Sequence, residues 1–279
     1  MKLRRIGAPV SIGCDLPGAE TAIRSLQANG FVFDDIIDVK TLPENKNEIL
    51  HLNSMVDFLA RLKQSVMHCV AEGEFPLTFG GDHSLAIATI AAQPNKKRGI
   101  LWIDAHGDCN THESSISKRI HGMPLAVVQG HGHPKLLDLV RDNIVDPHNV
   151  MLVGIRSLDE EEEKLMKQWG LRWFSQATID KNGPDWTLRE IEGFLTSQPE
   201  IHLSFDCDSI DPKLCPGVST PVAGGLNPDL ALSIIQRCFS STHVSSMDIV
   251  EYNPRNDDGQ TLTLVKRIDQ WVDQWMRSH

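Results

Sequence analysis

The run Gly99-Ile100-Leu101-Trp102-Ile103 is apolar without interruption and stops at Asp104-Ala105-His106-Gly107-Asp108. A short apolar run bounded by glycine reads as a strand buried on both faces, the kind of strand that parallel sheets are built from. A carboxylate set directly against such a run is costly unless it is solvated or paired. Asp104 therefore begins either a solvated loop or a metal site, and the D-x-H-x-D spacing favours the metal. The same figure recurs. Residues 76–79 stop at Gly80-Gly81-Asp82-His83-Ser84, residues 201–205 at Asp206-Cys207-Asp208, and residues 244–250 at Glu251.

Between these strands the apolar residues repeat at helical spacing. The pattern predicts strands over 3–10, 31–39, 149–154 and 171–174, and helices over 19–28, 45–70, 85–92, 120–129, 159–169, 188–195, 227–239 and 262–275. Ser84 or Asp82 is placed to cap the helix over 85–92. Asn227-Pro228 opens another helix, with proline at an early helical position. Residues 109–119 read as a polar loop. Strands alternating with helices specify an α/β fold with a mainly parallel sheet in a single domain over residues 1–279. Right-handed crossovers put every strand's carboxyl end on one edge, where such sheets bind ligands. His83, Asp104, His106, Asp108, Asp206, Asp208 and Glu251 are thereby delivered to a single edge.

A net charge of −10 argues against nucleic-acid or anionic-membrane partners, which need a basic surface. No stretch has the roughly 20 apolar residues of a membrane span, and the basic N-terminus lacks the apolar segment of a signal peptide. Six cysteines without C-x-x-C spacing read as reduced thiols. The expectation is a soluble cytoplasmic protein.

Two imidazoles and four carboxylates are too many ligands for one tetrahedral zinc. Oxygen donors mixed with imidazole favour octahedral Mn²⁺, with Co²⁺, Ni²⁺ or Fe²⁺ also matched by ligand type. Four carboxylates neutralise two divalent cations, the arrangement used to activate water and clamp a tetrahedral intermediate. The D-x-H-x-D and D-x-D spacings predict that each segment's ligands share one side of an extended chain.

Gly80-Gly81-Asp82-His83-Ser84, Asp104-Ala105-His106-Gly107-Asp108 and Ser204-Phe205-Asp206-Cys207-Asp208-Ser209-Ile210-Asp211-Pro212 resemble the three signatures of the ureohydrolases, the arginases, agmatinases and their relatives. The resemblance runs from Gly7-Ala8-Pro9 to Glu251-Tyr252-Asn253-Pro254 and is greatest to the arginases. It implies a three-layer α/β/α fold and two Mn²⁺ per subunit. It also implies homo-oligomers (trimer or hexamer) and hydrolysis of a guanidinium to urea and an amine. By resemblance His83, Asp104, Asp108 and Asp206 hold one metal, and His106, Asp104, Asp206 and Asp208 the other. A hydroxide between the metals is then the nucleophile, and Asp108 passes a proton to the leaving amine. Asn110, Ser115 and Ser117 match the residues that hold a substrate α-carboxylate, and Asp159 with Glu162 those that meet its α-amino group. His121 matches the proton shuttle, Glu251 faces the guanidinium and Thr220 lines the intermediate's pocket. L-arginine, cleaved to L-ornithine and urea, is the substrate so implied.

Two substrate loops depart from the usual arginase pattern: Lys118-Arg119 stands where many members have Gly-Asn, and Glu160-Glu161-Glu162 where many have Pro-Gly-Glu. The Lys118-Arg119 pair reads as solvent-facing. Glu160, Glu161 and Glu163 read as a solvated helix start, while His131 and His133 match no family ligand and read as loop. Agmatine or another guanidino or formimino substrate is the alternative within the family, and a metal-binding protein without catalysis the alternative outside it.

Overall fold

A computed structural model describes residues 1–44, 49–93 and 97–279. Eight strands form one sheet: β1 (Leu3–Ala8), β2 (Asp35–Ile36), β3 (Phe75–Gly80), β4 (Gly99–Ile103), β5 (Val150–Ile155), β6 (Arg172–Ser175), β7 (Ile201–Asp206) and β8 (Val244–Val250). Their order is β2-β1-β3-β8-β7-β4-β5-β6, and every neighbouring pair is parallel.

The helices are α1 (Ala22–Ala28), α2 (Leu52–Ala71), α3 (Ala86–Ala91), α4 (Pro124–Val128), α5 (Pro134–Val140), α6 (Glu160–Trp169), α7 (Gln176–Asn182), α8 (Pro184–Leu195), α9 (Pro228–Ser241) and α10 (Gln260–Ser278). Successive residues of β4 point to opposite faces. Leu101 and Ile103 pack with α1 and α7 to α10, whereas Ile100 and Trp102 pack with α2 to α6. Burial on both faces explains why the strand has no polar alternation. The result is helix, sheet, helix.

After β3 and β4 are laid down, β7 and β8 return to fill the gap between them. The carboxyl ends of β3, β8, β7 and β4 therefore lie side by side at the centre, where the direction of winding reverses.

Several elements differ from expectation. Residues 31–39 contribute only the short β2, because Phe31 and Phe33 turn edge-on to the Phe79 ring and Asp34 accepts from the Arg5 amide. The helix expected over 45–70 begins at Leu52 behind a left-handed His51; residues 45–48 lie outside the described residues. Asp82, rather than Ser84, caps the segment after β3, accepting from Ser84 N at 3.1 Å. Ile120–Gly122 is a 3₁₀ turn, and α4 starts only at Pro124. Helices α5 and α7 had no strong periodic signal. The cap of α5 is His133, whose Nδ1 accepts from Lys135 N, while His131 stacks on Trp169.

All six cysteines are free and buried. Among the described residues, no helix is long and apolar enough to cross a membrane.

Candidate metal centre and active site

The ligand segments are not extended. Asp208 sits in the 3₁₀ turn Cys207–Ser209, where Asp206 Oδ1 accepts its amide at 2.7 Å. Asp108 has φ +50, the left-handed region. Carboxylates capping their own turns bring the groups together more tightly than a pleated strand would, since alternate positions of a strand are about 6–7 Å apart.

Two groups of donors result, His83 with Asp104 and Asp206, and His106 with Asp104 and Asp208. Asp104 belongs to both. His83 Nδ1 lies 3.1 Å from Asp104, 3.2 Å from Asp108 and 3.0 Å from Asp206. His106 Nδ1 lies 3.1 Å from Asp208 and 3.5 Å from Asp104. His83 Nδ1 is buried and makes no hydrogen bond with any of its three carboxylate neighbours. One nitrogen lone pair facing three carboxylate oxygens is a donor arrangement suited to a shared cation.

The electrostatics agree. Burial and the neighbouring Asp104 push Asp108 up to about 6, and burial with the charges of Asp208 and Asp104 raises Asp206. Burial also opposes charge on Asp104 and on the imidazoles. Even so, the close approach of carboxylate to imidazole holds Asp104 below the usual carboxylate range and lifts His83 and His106 above the usual imidazole range. Divalent cations would satisfy all four carboxylates at once and leave both imidazoles neutral for ligation. The donors fit the group that the motifs imply.

Supporting contacts orient these ligands, as metal sites require. Ser204 Oγ lies 2.8 Å from His83 Nε2, Trp102 Nε1 donates to Asp104 Oδ2 at 2.9 Å, and Thr220 Oγ1 donates to Asp208 Oδ2 at 3.0 Å. The Arg156 guanidinium donates to the carbonyls of Gly154, Asp208, Ser209, Ile210 and Val222, gathering β5 and the Asp208 turn. Sequence reasoning overlooked Trp102, Ser204 and Arg156, which read as plain strand or loop positions. A buried serine two residues before a candidate ligand was the one usable signal.

Glu251 also has a left-handed backbone, at φ +60. Its amide donates to Gly81 O at 2.7 Å, and its Oε1 accepts from His83 N at 2.9 Å. That oxygen lies 3.5 Å from His121 Nδ1, while Oε2 is buried without a partner. A strained backbone at a non-glycine residue is found where surrounding contacts enforce it, often at working sites. Burial disfavours the charged form of His121, but Cys14 and Glu251 raise its pKa.

At the other side Asn110 Nδ2 donates to Asp159 Oδ2 at 2.9 Å, joining the loop after β4 to the start of α6. Asp159 also caps α6 through Glu162 N. Ser117 is exposed at the loop tip. Ser115 is buried and its hydroxyl accepts from Lys118 N, so it braces the loop from within. Glu162 is buried beneath the same loop, accepting from Cys109 N at 2.9 Å. Lys118 does not face solvent freely; its ammonium donates to His112 O and Glu113 O. Glu160 and Glu161 are exposed, and Glu163 pairs with Lys167.

Comparison with known proteins gives one family. The model of the Arginase family matches residues 6–270. The arginase of Bacillus subtilis strain 168 is 37% identical, over 94% of this chain and 96% of that protein. Solved arginases from Bacillus caldovelox and Bacillus cereus each superpose with a TM-score of 0.91 at 31% identity, covering 98% of both chains.

Proposed function

The chain belongs to the arginase family and is a hydrolase of that family; on that premise we propose that it cleaves L-arginine to L-ornithine and urea with two Mn²⁺ bound per subunit. The observation that carries the reading is the pair of donor groups sharing Asp104, with Asn110, two residues after Asp108, bonded to Asp159.

His83, Asp104, Asp108 and Asp206 would hold one ion, and His106, Asp104, Asp206 and Asp208 the other. When bound, the ions supply Lewis acidity, lowering the pKa of water and stabilising the charge that develops on the guanidinium carbon's substituents. The chain's own residues do the rest. Glu251, with one oxygen unpartnered, is suited to a charge-assisted contact with the guanidinium. Asp108, whose carboxylate faces His83 at 3.2 Å, passes a proton to the leaving amine. His121, half-buried, exchanges that proton with solvent. Asp208 is steadied by Thr220, which also lines the pocket of the tetrahedral intermediate.

Asp159 meets the α-ammonium, with Glu162 supporting from below. Asn110 and Ser117 meet the α-carboxylate, and Ser115 fixes the loop that presents them. Agmatine has no α-carboxylate and would leave Asn110 and Ser117 without a role. Urea release from manganese-loaded protein, measured with L-arginine and with agmatine, tests the reading: arginine should turn over faster, and faster agmatine turnover would overturn it. The family resemblance also supports a cytoplasmic homo-oligomer, a trimer or hexamer, which light scattering coupled to size-exclusion chromatography would size.

A further inference from the structure

Cys14, His121 and Glu251 form a third cluster, and no step above uses the thiol. One ligand atom from each lies within 4.8 Å of the others. The cluster is built rather than accidental in three respects. Buried Asp82 accepts from the amides of Gly13 and Cys14, at 2.8 and 3.2 Å, which fixes the loop carrying the thiol. The Gly13 carbonyl accepts from His121 N at 3.2 Å, tying that loop to the imidazole. Glu251 is 1% exposed, and its Oε2 has no hydrogen-bond partner.

The donor chemistry separates this cluster from the carboxylate centre. One sulfur, one imidazole nitrogen and one carboxylate oxygen make a three-ligand set with a fourth position left for water, the arrangement that suits Zn²⁺. Mn²⁺ prefers oxygen-rich, six-coordinate sites and has little use for a thiolate. Partial exposure of His121 leaves an entry path on the imidazole side.

We propose that Cys14, His121 and Glu251 form a zinc-selective inhibitory site beside the manganese centre. Binding forms the Zn–S, Zn–N and Zn–O bonds and releases the thiol proton to solvent; no electrons are transferred. A zinc ion there occupies the Glu251 carboxylate and immobilises the His121 ring. Substrate and zinc then compete. The inhibitory consequence rests on the function proposed above, whereas the site itself rests on geometry alone.

The test uses manganese-loaded protein and the Cys14→Ser variant, which leaves both donor groups of the manganese centre intact. Zinc should inhibit the wild type, competitively with L-arginine, with its manganese content unchanged by elemental analysis. Cys14→Ser should keep its basal activity and need at least about 10-fold more zinc, the scale on which altered coordination changes metal affinity. Co²⁺ added to the manganese-loaded wild type should give a thiolate-to-cobalt charge-transfer band that Cys14→Ser lacks. Equal zinc sensitivity of the two proteins, inhibition that tracks manganese loss, or a cobalt band that survives in the variant would each overturn the site. Should no guanidine be hydrolysed, the function proposed above fails, and the cobalt band alone decides the site.

Discussion

The indole of Trp102 lies flat on the imidazole of His83, with ring centroids 3.9 Å apart and planes 6° from parallel. The same indole donates its N–H to Asp104. One strand residue thus holds a candidate ligand from each of two strand ends, those of β3 and β4. Trp102→Phe keeps an aromatic face against His83 but removes the donor to Asp104. Manganese affinity should fall about 10- to 100-fold, the usual cost of losing a supporting contact to a ligand. Activity titrated against buffered free Mn²⁺ measures it, with a thermal melt to show that the variant is folded. Unchanged affinity would mean that Asp104 is held by its other contacts alone.

Asp159 has two separable jobs. One oxygen caps α6 through Glu162 N, and the other accepts from Asn110. Asparagine is as good a cap as aspartate, whereas alanine costs about 1 kcal/mol. Asp159→Asn should therefore leave stability within about 0.5 kcal/mol while raising KM for L-arginine, because the charge proposed to meet the α-ammonium is gone. Asp159→Ala should do both kinds of damage. Urea denaturation and steady-state kinetics on the two variants check this; an Asn variant with normal KM would reduce Asp159 to a helix cap.

The strands that end in ligands were readable because burial on both faces leaves an apolar run with an abrupt polar stop. Asp104 and Asp206 stand out against Trp102-Ile103 and Ser204-Phe205 for that reason. The order of the strands was not readable. That β7 and β8 return between β3 and β4 is decided by long-range packing, which no local pattern encodes. The ligand segments were misjudged in shape, since spacing of two suits a strand and a self-capped turn equally. The supporting residues were harder still. Trp102 and Ser204 look like ordinary strand positions until the end of β3 supplies His83, and Arg156 looks like a surface cation until five carbonyls converge on it.

Glu162 links stability to pH. Burial pushes its pKa up to about 8, and the Asp108 and Asp159 charges add to this against the hydrogen bond from Cys109 N. Its ordinary value is 4.5, so between those limits the folded state keeps a proton that the unfolded state has lost. Native metal-free protein then binds more protons than unfolded protein, and stability falls as pH rises through that window. Glu162→Gln keeps an acceptor for Cys109 N and cannot ionise. The stability difference between variant and wild type should therefore shift toward the variant by a few kcal/mol (about 1.4 per pKa unit) from pH 4.5 to 8. Chemical denaturation across that range, without metal, is the measurement. A pH-independent difference would show that Glu162 is ionised in the fold.

Arg156 tests whether the Asp208 turn is set by its own sequence or by a brace. Its guanidinium donates to five carbonyls from β5 and from the 208–210 and 222 segments. Desolvation lowers its pKa, and the charges of Asp208, Asp104, Asp211 and Asp206 offset only part of that cost. Lysine keeps the charge but has three donors from one point instead of a planar fork, and it cannot span the same carbonyls. Buried carbonyls left without donors cost about 1–3 kcal/mol each, less whatever water recovers. Arg156→Lys should therefore lose about 2–4 kcal/mol of stability. It should also bind manganese more weakly, because Asp208, a proposed ligand, sits on a turn that the brace no longer fixes. Urea denaturation gives the first quantity and calorimetric manganese titration of the folded variant the second. A variant that is destabilised yet binds manganese normally would show that Asp206, capping the turn at 2.7 Å, positions Asp208 without help.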